Sequence, residues 1–574
     1  MISMKRLLVY LKDYKIECVL APLFKMLEAS FELFVPLVIA YLIDKGIVAG
    51  DKSVIIKAFI LLLVLGLIGL TASVTAQFFS AKAAVGFATK LRHALFEKLL
   101  SLGFPEIDKL GTGAMITRMT SDVNQLQNGV NMFLRLFLRS PFVVFGAMIM
   151  AFTIDFDSAM VFLIVIIALS IVVFGLMAIN VKQVKNVQSK LESVLIATRE
   201  NLKGVRVIRA FCKEREESIE FENDNDMLTK ALNKAGNISA LMNPLTYVMI
   251  NVAIITLIKI DAVKVSQGSM TQGTVVALYN YMSQILVELI KLANLIVLLN
   301  KTLACSNRVS SVFDIVPSQT DGIKDAEKSN EVIRFDHVSL EYPESGEETL
   351  SDISFAVNKG ETVGIIGGTG SGKTSLVHLI PRFYDATKGT VYINGLDVKE
   401  YSFENIRKKV GIVMQKAVLF KGTIRSNMEW ASKSAIEDDF LNAISDAQAV
   451  EVVEQKGGID GEVEPGGKNF SGGQRQRLSI ARTLLSKPEI LILDDSSSAL
   501  DYLTDLNLRK AIKNLDYNPT VLIVSQRSAS IMHADKIIVL DDGNMVGIGK
   551  HEELLKTCEV YKEIYESQYS EEAG

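Results

Sequence analysis

Six long stretches of the chain are predominantly apolar, near 18–44, 55–81, 128–152, 158–180, 240–265 and 274–300. About 20 apolar residues in a helix cross the ~30 Å hydrocarbon core of a bilayer, so each stretch is long enough to span one. The pattern changes near residue 320, at Pro317-Ser318-Gln319-Thr320-Asp321-Gly322 and a charged run through Lys328. From about 330 short apolar strands, Thr362–Ile366, Val410–Met414, Ile490–Leu493 and Val521–Val524, alternate with helix-like stretches. Strands apolar throughout predict a parallel sheet covered on both faces. The expected architecture is a membrane α-helical domain with six transmembrane helices and two long loops over 1–320, a linker over 321–330, and an α/β domain over 331–574.

Basic residues orient the spans. The connection after the second holds Lys82, Lys90, Arg92, Lys98, Lys109 and Arg118, and the one after the fourth holds eleven Lys or Arg between Lys182 and Lys234. Both are predicted to be cytoplasmic. Thr153-Ile154-Asp155-Phe156-Asp157 has none, although Lys45, Lys52 and Lys264 weaken the contrast. Both termini and the C-terminal domain are then expected inside the cell, with lipid around the spans. The amphipathic stretch Leu7 to Tyr14 is expected as a helix on the inner membrane surface, not a signal peptide. A net charge of −4 gives no polycationic face and excludes nucleic acid as a natural partner. Cys18, Cys212, Cys305 and Cys558 fit neither zinc spacing nor a disulfide framework and are expected as free thiols.

Chemistry enters with Gly367-Gly368-Thr369-Gly370-Ser371-Gly372-Lys373-Thr374, which follows a strand and opens a helix. This is the phosphate-binding pattern G-x-x-x-x-G-K-[ST]: glycines let backbone amides wrap phosphates, Lys373 reaches the β and γ phosphates, and Thr374 ligates Mg²⁺. Ile490-Leu491-Ile492-Leu493-Asp494 is a buried strand ending in a carboxylate, where an acid holds Mg²⁺ near the γ-phosphate. Between them lies Phe470-Ser471-Gly472-Gly473-Gln474-Arg475-Gln476-Arg477. This segment resembles the signature of ATP-binding cassette proteins, and nearly the whole chain resembles a type IV ABC exporter half-transporter.

The resemblance implies ATP and Mg²⁺ as cofactors. It implies that Tyr342 stacks on adenine, that Ser375 joins the phosphate loop, and that Ser471, Gly472, Gly473 and Gln474 contact nucleotide on a partner chain. Gln415 resembles the glutamine that senses Mg²⁺ and the membrane domain, and Ser498-Ala499-Leu500-Asp501 the loop along the dimer seam. Residues 117–123 and 200–211 resemble exporter intracellular loops.

Three positions depart from the family. Asp495 stands where efficient hydrolysers have a glutamate that polarises the attacking water; its carboxylate sits about 1.5 Å further back, and ~1 Å of misplacement can cost on the order of 100-fold. Gln526 stands where the family has its switch histidine, and Pro465 where a glutamate is usual; Phe470 replaces a leucine. An intact signature beside weakened Asp495 and Gln526 resembles the degenerate-site subunit of a heterodimeric multidrug exporter, its partner a second half-transporter in the plasma membrane. The implied activity is ATP-driven export of small amphipathic compounds by alternating access. A slow homodimer, a siderophore importer on the same fold and an ATP-gated channel or sensor are the alternatives.

Charges inside a membrane are costly and point to function. Lys25, Glu28 and Glu32 share a helix face, as do Glu288 and Lys291. At 1.5 Å per residue Glu32 lies roughly 18 Å from Asp44, and Glu288 roughly 21 Å from Thr274, at matched depths. Glu32 and Glu288 are therefore candidates for a cavity that attracts cationic amphipaths, with neutralisation by neighbouring lysines as the structural alternative.

Overall fold

The structure is a computed structural model that describes residues 2–326, 329–342 and 345–569. Glu327 and Lys328 of the expected linker, and the last five residues of the expected C-terminal domain, lie outside the described residues. The chain forms two compact units: residues 1–100 with 113–315, and residues 101–112 with 316–574.

The first unit is helical. Its long elements are Lys15–Tyr41, Lys52–Leu100, Val123–Leu136, Arg139–Ile154, Phe156–Ala210, Glu214–Ser266 and Gln272–Phe313. The 49 residues of Lys52–Leu100 make a rod of about 74 Å, more than twice the ~30 Å that apolar residues need to cross. Its basic C-terminal half is what projects beyond. Among the described residues five segments are long and apolar enough to cross a membrane: Met4–Ile47, Lys52–Leu100, Thr112–Ile154, Phe156–Ala210 and Gln272–Phe313. The expected span at 240–265 is helical within Glu214–Ser266 but is not one of these five; it carries Pro244 and a fully buried Asp261. Its Ile250, Ala253 and Leu257 nevertheless pack in the same core as Val143, Phe162 and Tyr281.

Small residues let these helices approach closely, as they do wherever the surroundings are as apolar as the side chains. Ala29, Ala76, Ala83, Ala84 and Ala88 are fully buried. A Cβ on Gly129 would lie 2.3 Å from Thr302 Oγ1, so only glycine fits there. The N-terminal stretch, expected as a surface helix, packs one side on the helical core. Leu7 is fully buried with Phe87, Leu91 and Leu95, and residues 8–14 form a 3₁₀ helix packed on that core. Asp122 is buried and accepts two bonds from Arg308, at 2.9 and 2.6 Å.

The second unit holds a six-stranded sheet in the order Asn544–Gly549, Lys536–Asp541, Thr362–Gly367, Thr520–Val524, Ile490–Asp494, Val410–Val413. Its inner pairs are parallel and the outermost, Asn544–Gly549, is antiparallel. Alternate side chains enter different cores: Leu491 and Leu493 face one, Ile490 and Ile492 the other. That is why these strands read as unbroken apolar runs. A second sheet, Glu348–Asn358, Glu331–Glu341, Lys388–Ile393 and Leu396–Asp397, is antiparallel.

The short helix Phe104–Leu110 clusters with this unit, although the sequence reading placed it in an unbroken 1–320 domain. Phe104 stacks on Phe383 at 4.2 Å, Tyr384 donates to Asp108, and Glu106 accepts from the Ser318 amide at 2.8 Å.

Removing Arg308 strands a buried carboxylate. Arg308→Ala is expected to destabilise the first unit by about 1.5–3 kcal/mol, the range for hydrogen bonds to charged groups, read as a lower melting temperature in detergent. Asp122→Asn together with Arg308→Met should recover part of the loss; an unchanged melting temperature for Arg308→Ala alone would show the pair to be dispensable.

Candidate nucleotide site and membrane cavity

Three parallel strands, Thr362–Gly367, Ile490–Asp494 and Thr520–Val524, end on one edge of the sheet, and the site lies there, as ligand sites do in open α/β sheets. Gly367 closes the first strand against the Leu540 carbonyl, which a Cβ would approach to 2.0 Å. Gly370 and Gly372 take φ of 88° and 91°, a conformation that L side chains rarely adopt. The loop so turned delivers Lys373 and Thr374 to the first turn of Lys373–His378. Lys373 Nζ donates to the carbonyls of Gly367 (3.0 Å) and Gly368 (2.6 Å) and to Ser371 Oγ (3.3 Å). Burial pulls this ammonium below its usual range against the attraction of Asp495 and Asp494.

A cavity of about 350 Å³ opens above the loop and brings together Thr369, Gly370, Gly372, Lys373, Thr374, Ser375, Gln415, Asp495 and Gln526. Asp494 does not itself line the cavity; 1% exposed, it accepts from Oγ1 of Thr374, which does, at 3.0 Å. Burial pushes its carboxyl up, with the Thr374 bond and Lys373 opposing. A desolvated carboxylate beside a hydroxyl, both hard oxygen donors, fits a divalent cation such as Mg²⁺. Asp495 has φ of 46°, and its Oδ2 accepts from Gln415 Nε2 at 3.2 Å. Tyr342, half-buried, donates to Ser375 Oγ at 2.9 Å, which ties the expected adenine platform to the phosphate loop.

Ser471, Gly472, Gly473 and Gln474 are not among the residues lining this cavity. They form the N-terminus of Gly472–Leu485, where Ser471 Oγ accepts from the Gln474 amide (3.2 Å) and Gln474 Oε1 from the Ser471 amide (2.9 Å). Ser471 and Gly472 are exposed. Phe470 is buried in the core with Lys456 over its ring. Pro465 begins a three-residue 3₁₀ turn, and Asp501 caps Tyr502–Lys513 through the Thr504 amide at 2.9 Å.

The first unit has its own cavity of about 260 Å³. One wall is apolar, with Val35, Pro36, Ile39 and Val143; the other is the polar stripe Asn280, Ser283, Gln284, Glu288, Lys291 of one helix. Glu32 and Glu288 both line it, and the residue between them was missed in the sequence. Arg139, 7% exposed, bonds Glu32 Oε2 (2.7 Å) and Glu288 Oε1 (2.5 Å). Ser140 Oγ donates to Glu288 at 2.7 Å and Lys291 Nζ lies 2.8 Å away. Lys25 pairs with Glu28 and donates to Ser73 at 3.0 Å. Glu32, Glu288, Arg139 and Lys291 sum to zero charge, so the cluster has no net attraction for cations. Arg139 opens a helix that begins after a two-residue break in the expected 128–152 span, and the available signal was an arginine inside an otherwise apolar stretch.

His378 lies with Nε2 3.8 Å from Asp494 Oδ2, and burial lowers its pKa, which keeps it neutral near pH 7. It does not line the cavity.

Residues 18–289 match the ABC transporter transmembrane region family, and residues 350–498 match the ABC transporter family. The chain is 32% identical over 572 residues to the uncharacterized ABC transporter ATP-binding protein YfiB of Bacillus subtilis (strain 168), covering 100% of both chains. It is 30% identical to that organism's putative multidrug export ATP-binding/permease protein YgaD, over 98% of this chain and 99% of the other. A solved structure of a bacterial Atm1-family ABC exporter with ATP bound superposes with a TM-score of 0.78 at 22% identity, over 97% of this chain and 98% of that one.

Two outcomes follow from the charges. Because burial raises the Asp494 pKa, the folded state binds more protons than the unfolded one, and this group's contribution to stability falls as pH rises above the usual carboxylate range. Asp494→Asn should therefore raise the nucleotide-free melting temperature at pH 7 yet remove the further rise given by ATP with Mg²⁺. Unchanged stabilisation by nucleotide would remove Asp494 from the site. In the membrane unit, Glu288→Gln leaves Arg139 underpaired and should lower the yield of folded protein more than Glu32→Gln, whose side chain is 42% exposed against 4%; equal yields would show that Arg139 does not depend on Glu288.

Proposed function

We propose, from the fact that this chain belongs to the ABC transporter family and has the exporter half-transporter fold, that it is the degenerate-site subunit of a heterodimeric exporter of small amphipathic compounds. As a family member it is a multi-pass membrane protein that couples ATP hydrolysis to transport. One observation carries the finer reading: the cavity above an intact phosphate loop is lined by Asp495 and Gln526, while Ser471 and Gly472 of the signature are exposed outside it.

Each group has a task. Loop amides at the start of Lys373–His378 receive phosphate charge, and Lys373, now held by loop carbonyls, is within reach to add its own. Thr374 and Asp494 would hold Mg²⁺, which screens phosphate charge. Gln415 ties up the shortened Asp495 carboxylate, and Gln526 donates to a phosphate but carries no proton. This site holds nucleotide, and the exposed signature completes the hydrolytic site of a partner. The nucleotide unit and both termini are cytoplasmic. The membrane cavity, apolar on one wall and polar on the other, suits an amphipath whose head meets Asn280, Ser283 and Gln284.

Purified alone, the chain should hydrolyse ATP slowly, and Asp495→Glu with Gln526→His should raise turnover on the order of 100-fold. Vigorous cooperative hydrolysis and transport by the unaltered chain would defeat the heterodimer. For cargo, the complex in oriented vesicles should expel cationic and neutral amphipathic dyes alike and flip no fluorescent phospholipid. Exclusive phospholipid movement would reassign the cargo, and uptake in place of efflux would reassign the direction.

A further inference from the structure

Gln526 has an exposed side chain on a loop that leaves the sheet at Val524, so its aim into the cavity depends on its backbone. The near side of that loop is fixed within the sheet: the Ser525 amide donates to the Ile365 carbonyl at 3.1 Å and the Arg527 amide to Ser525 Oγ at 2.9 Å. The far side is fixed by one residue about forty positions later. Gln568 Nε2 donates to the Gln526 carbonyl at 2.8 Å, while its Oε1 accepts from both the amide and the hydroxyl of Ser528 at 2.8 Å. Ser528 is fully buried. The helix that carries Gln568, Glu559–Tyr569, is anchored by a fully buried Tyr561 whose hydroxyl lies 2.7 Å from His551 Nδ1. Only a primary amide offers both an acceptor and a donor in that geometry; a carboxylate keeps the first and loses the second.

We propose that Gln568 is a positioning residue that clamps the Gln526 loop from behind and so sets how this site distinguishes ATP from ADP. The inference rests on the reading above that Gln526 donates to a phosphate, and takes that phosphate to be the γ, which ADP lacks. A side chain supporting a ligand contact through one rigid hydrogen bond acts on that contact alone, so the effect must be specific to the nucleotide that makes it.

The test is equilibrium binding of ATP and of ADP, each with Mg²⁺, to the full-length chain in detergent. Gln568→Ala and Gln568→Glu should weaken ATP roughly two- to tenfold, the range for one hydrogen bond, with ADP changed less than about twofold. In a Gln526→Ala background neither substitution should weaken ATP further. Equal losses for ATP and ADP, or losses that add to that of Gln526→Ala, overturn the clamp. Should Gln568→Ala not fold, Gln568→Glu, which retains the Ser528 acceptor, decides alone. The two readings fail differently. If Gln526→Ala leaves the ATP-to-ADP ratio unchanged, Gln526 does not meet the γ-phosphate and the clamp falls with it. If Gln526→Ala alters the ratio and the Gln568 variants do not, only the clamp falls.

Discussion

A carboxylate held almost out of water at a strand end organises the nucleotide unit. Asp494, 1% exposed, accepts one short bond, from Thr374, and among the described residues its neighbour at ion-pair distance is a neutral His378 at 3.8 Å. An isolated buried charge is expensive unless something compensates it. The phosphate loop, the glycines that turn it and the parallel strand pairing that levels Ile365, Asp494 and Val524 all converge on that deficit. A site short of positive charge without its ligand is one where nucleotide and its cation bind with a gain.

The same electrostatic constraint has the opposite solution in the membrane unit. There the acids bring their own cations: Arg139 bridges Glu32 and Glu288, which stand on different helices, Lys291 adds a third contact, and Lys25 pairs with Glu28. Such closed networks tie helices together without attracting a charged ligand. What stays open is the contrast between a polar stripe on one helix and an apolar wall opposite, the feature on which the proposed amphipathic cargo rests.

What could be read from the chain divides along physical lines. The phosphate loop, the Asp494 strand and the long apolar helices are local patterns of period and spacing, and they are legible because one element carries each. Arg139, the docking of Phe104–Leu110 beside Phe383 and Tyr384, and Gln568 behind Gln526 are pairings between residues tens to hundreds of positions apart, with no periodic trace. The span at 240–265 was legible as a helix, but its Asp261 and lysines blur the apolar signal because part of its face is turned to partners inside the bundle, where Ser158 Oγ bonds Asp261 at 2.6 Å. The protein partners of Leu7 left no trace because an amphipathic turn packs equally well on lipid or on protein, and here Phe87 and Leu91 share its core.

On the proposed reading of a degenerate site, Asp495 and Gln526 would weaken hydrolysis in different ways, and this bears on why the site would be kept at all. Gln526 preserves a hydrogen-bond donor and sits on a loop pinned on both sides, by Ile365 and by Gln568. Asp495 is held in a left-handed conformation with its carboxylate on Gln415. Neither region is loose, and neither has lost the groups that grip phosphate. A site decaying for want of use would be expected to lose its costly buried charge first, since Asp494→Asn would remove that cost; the carboxylate and its Thr374 partner remain. On the reading proposed above, the retained investment is in binding, and what is given up is the geometry and proton traffic of bond cleavage.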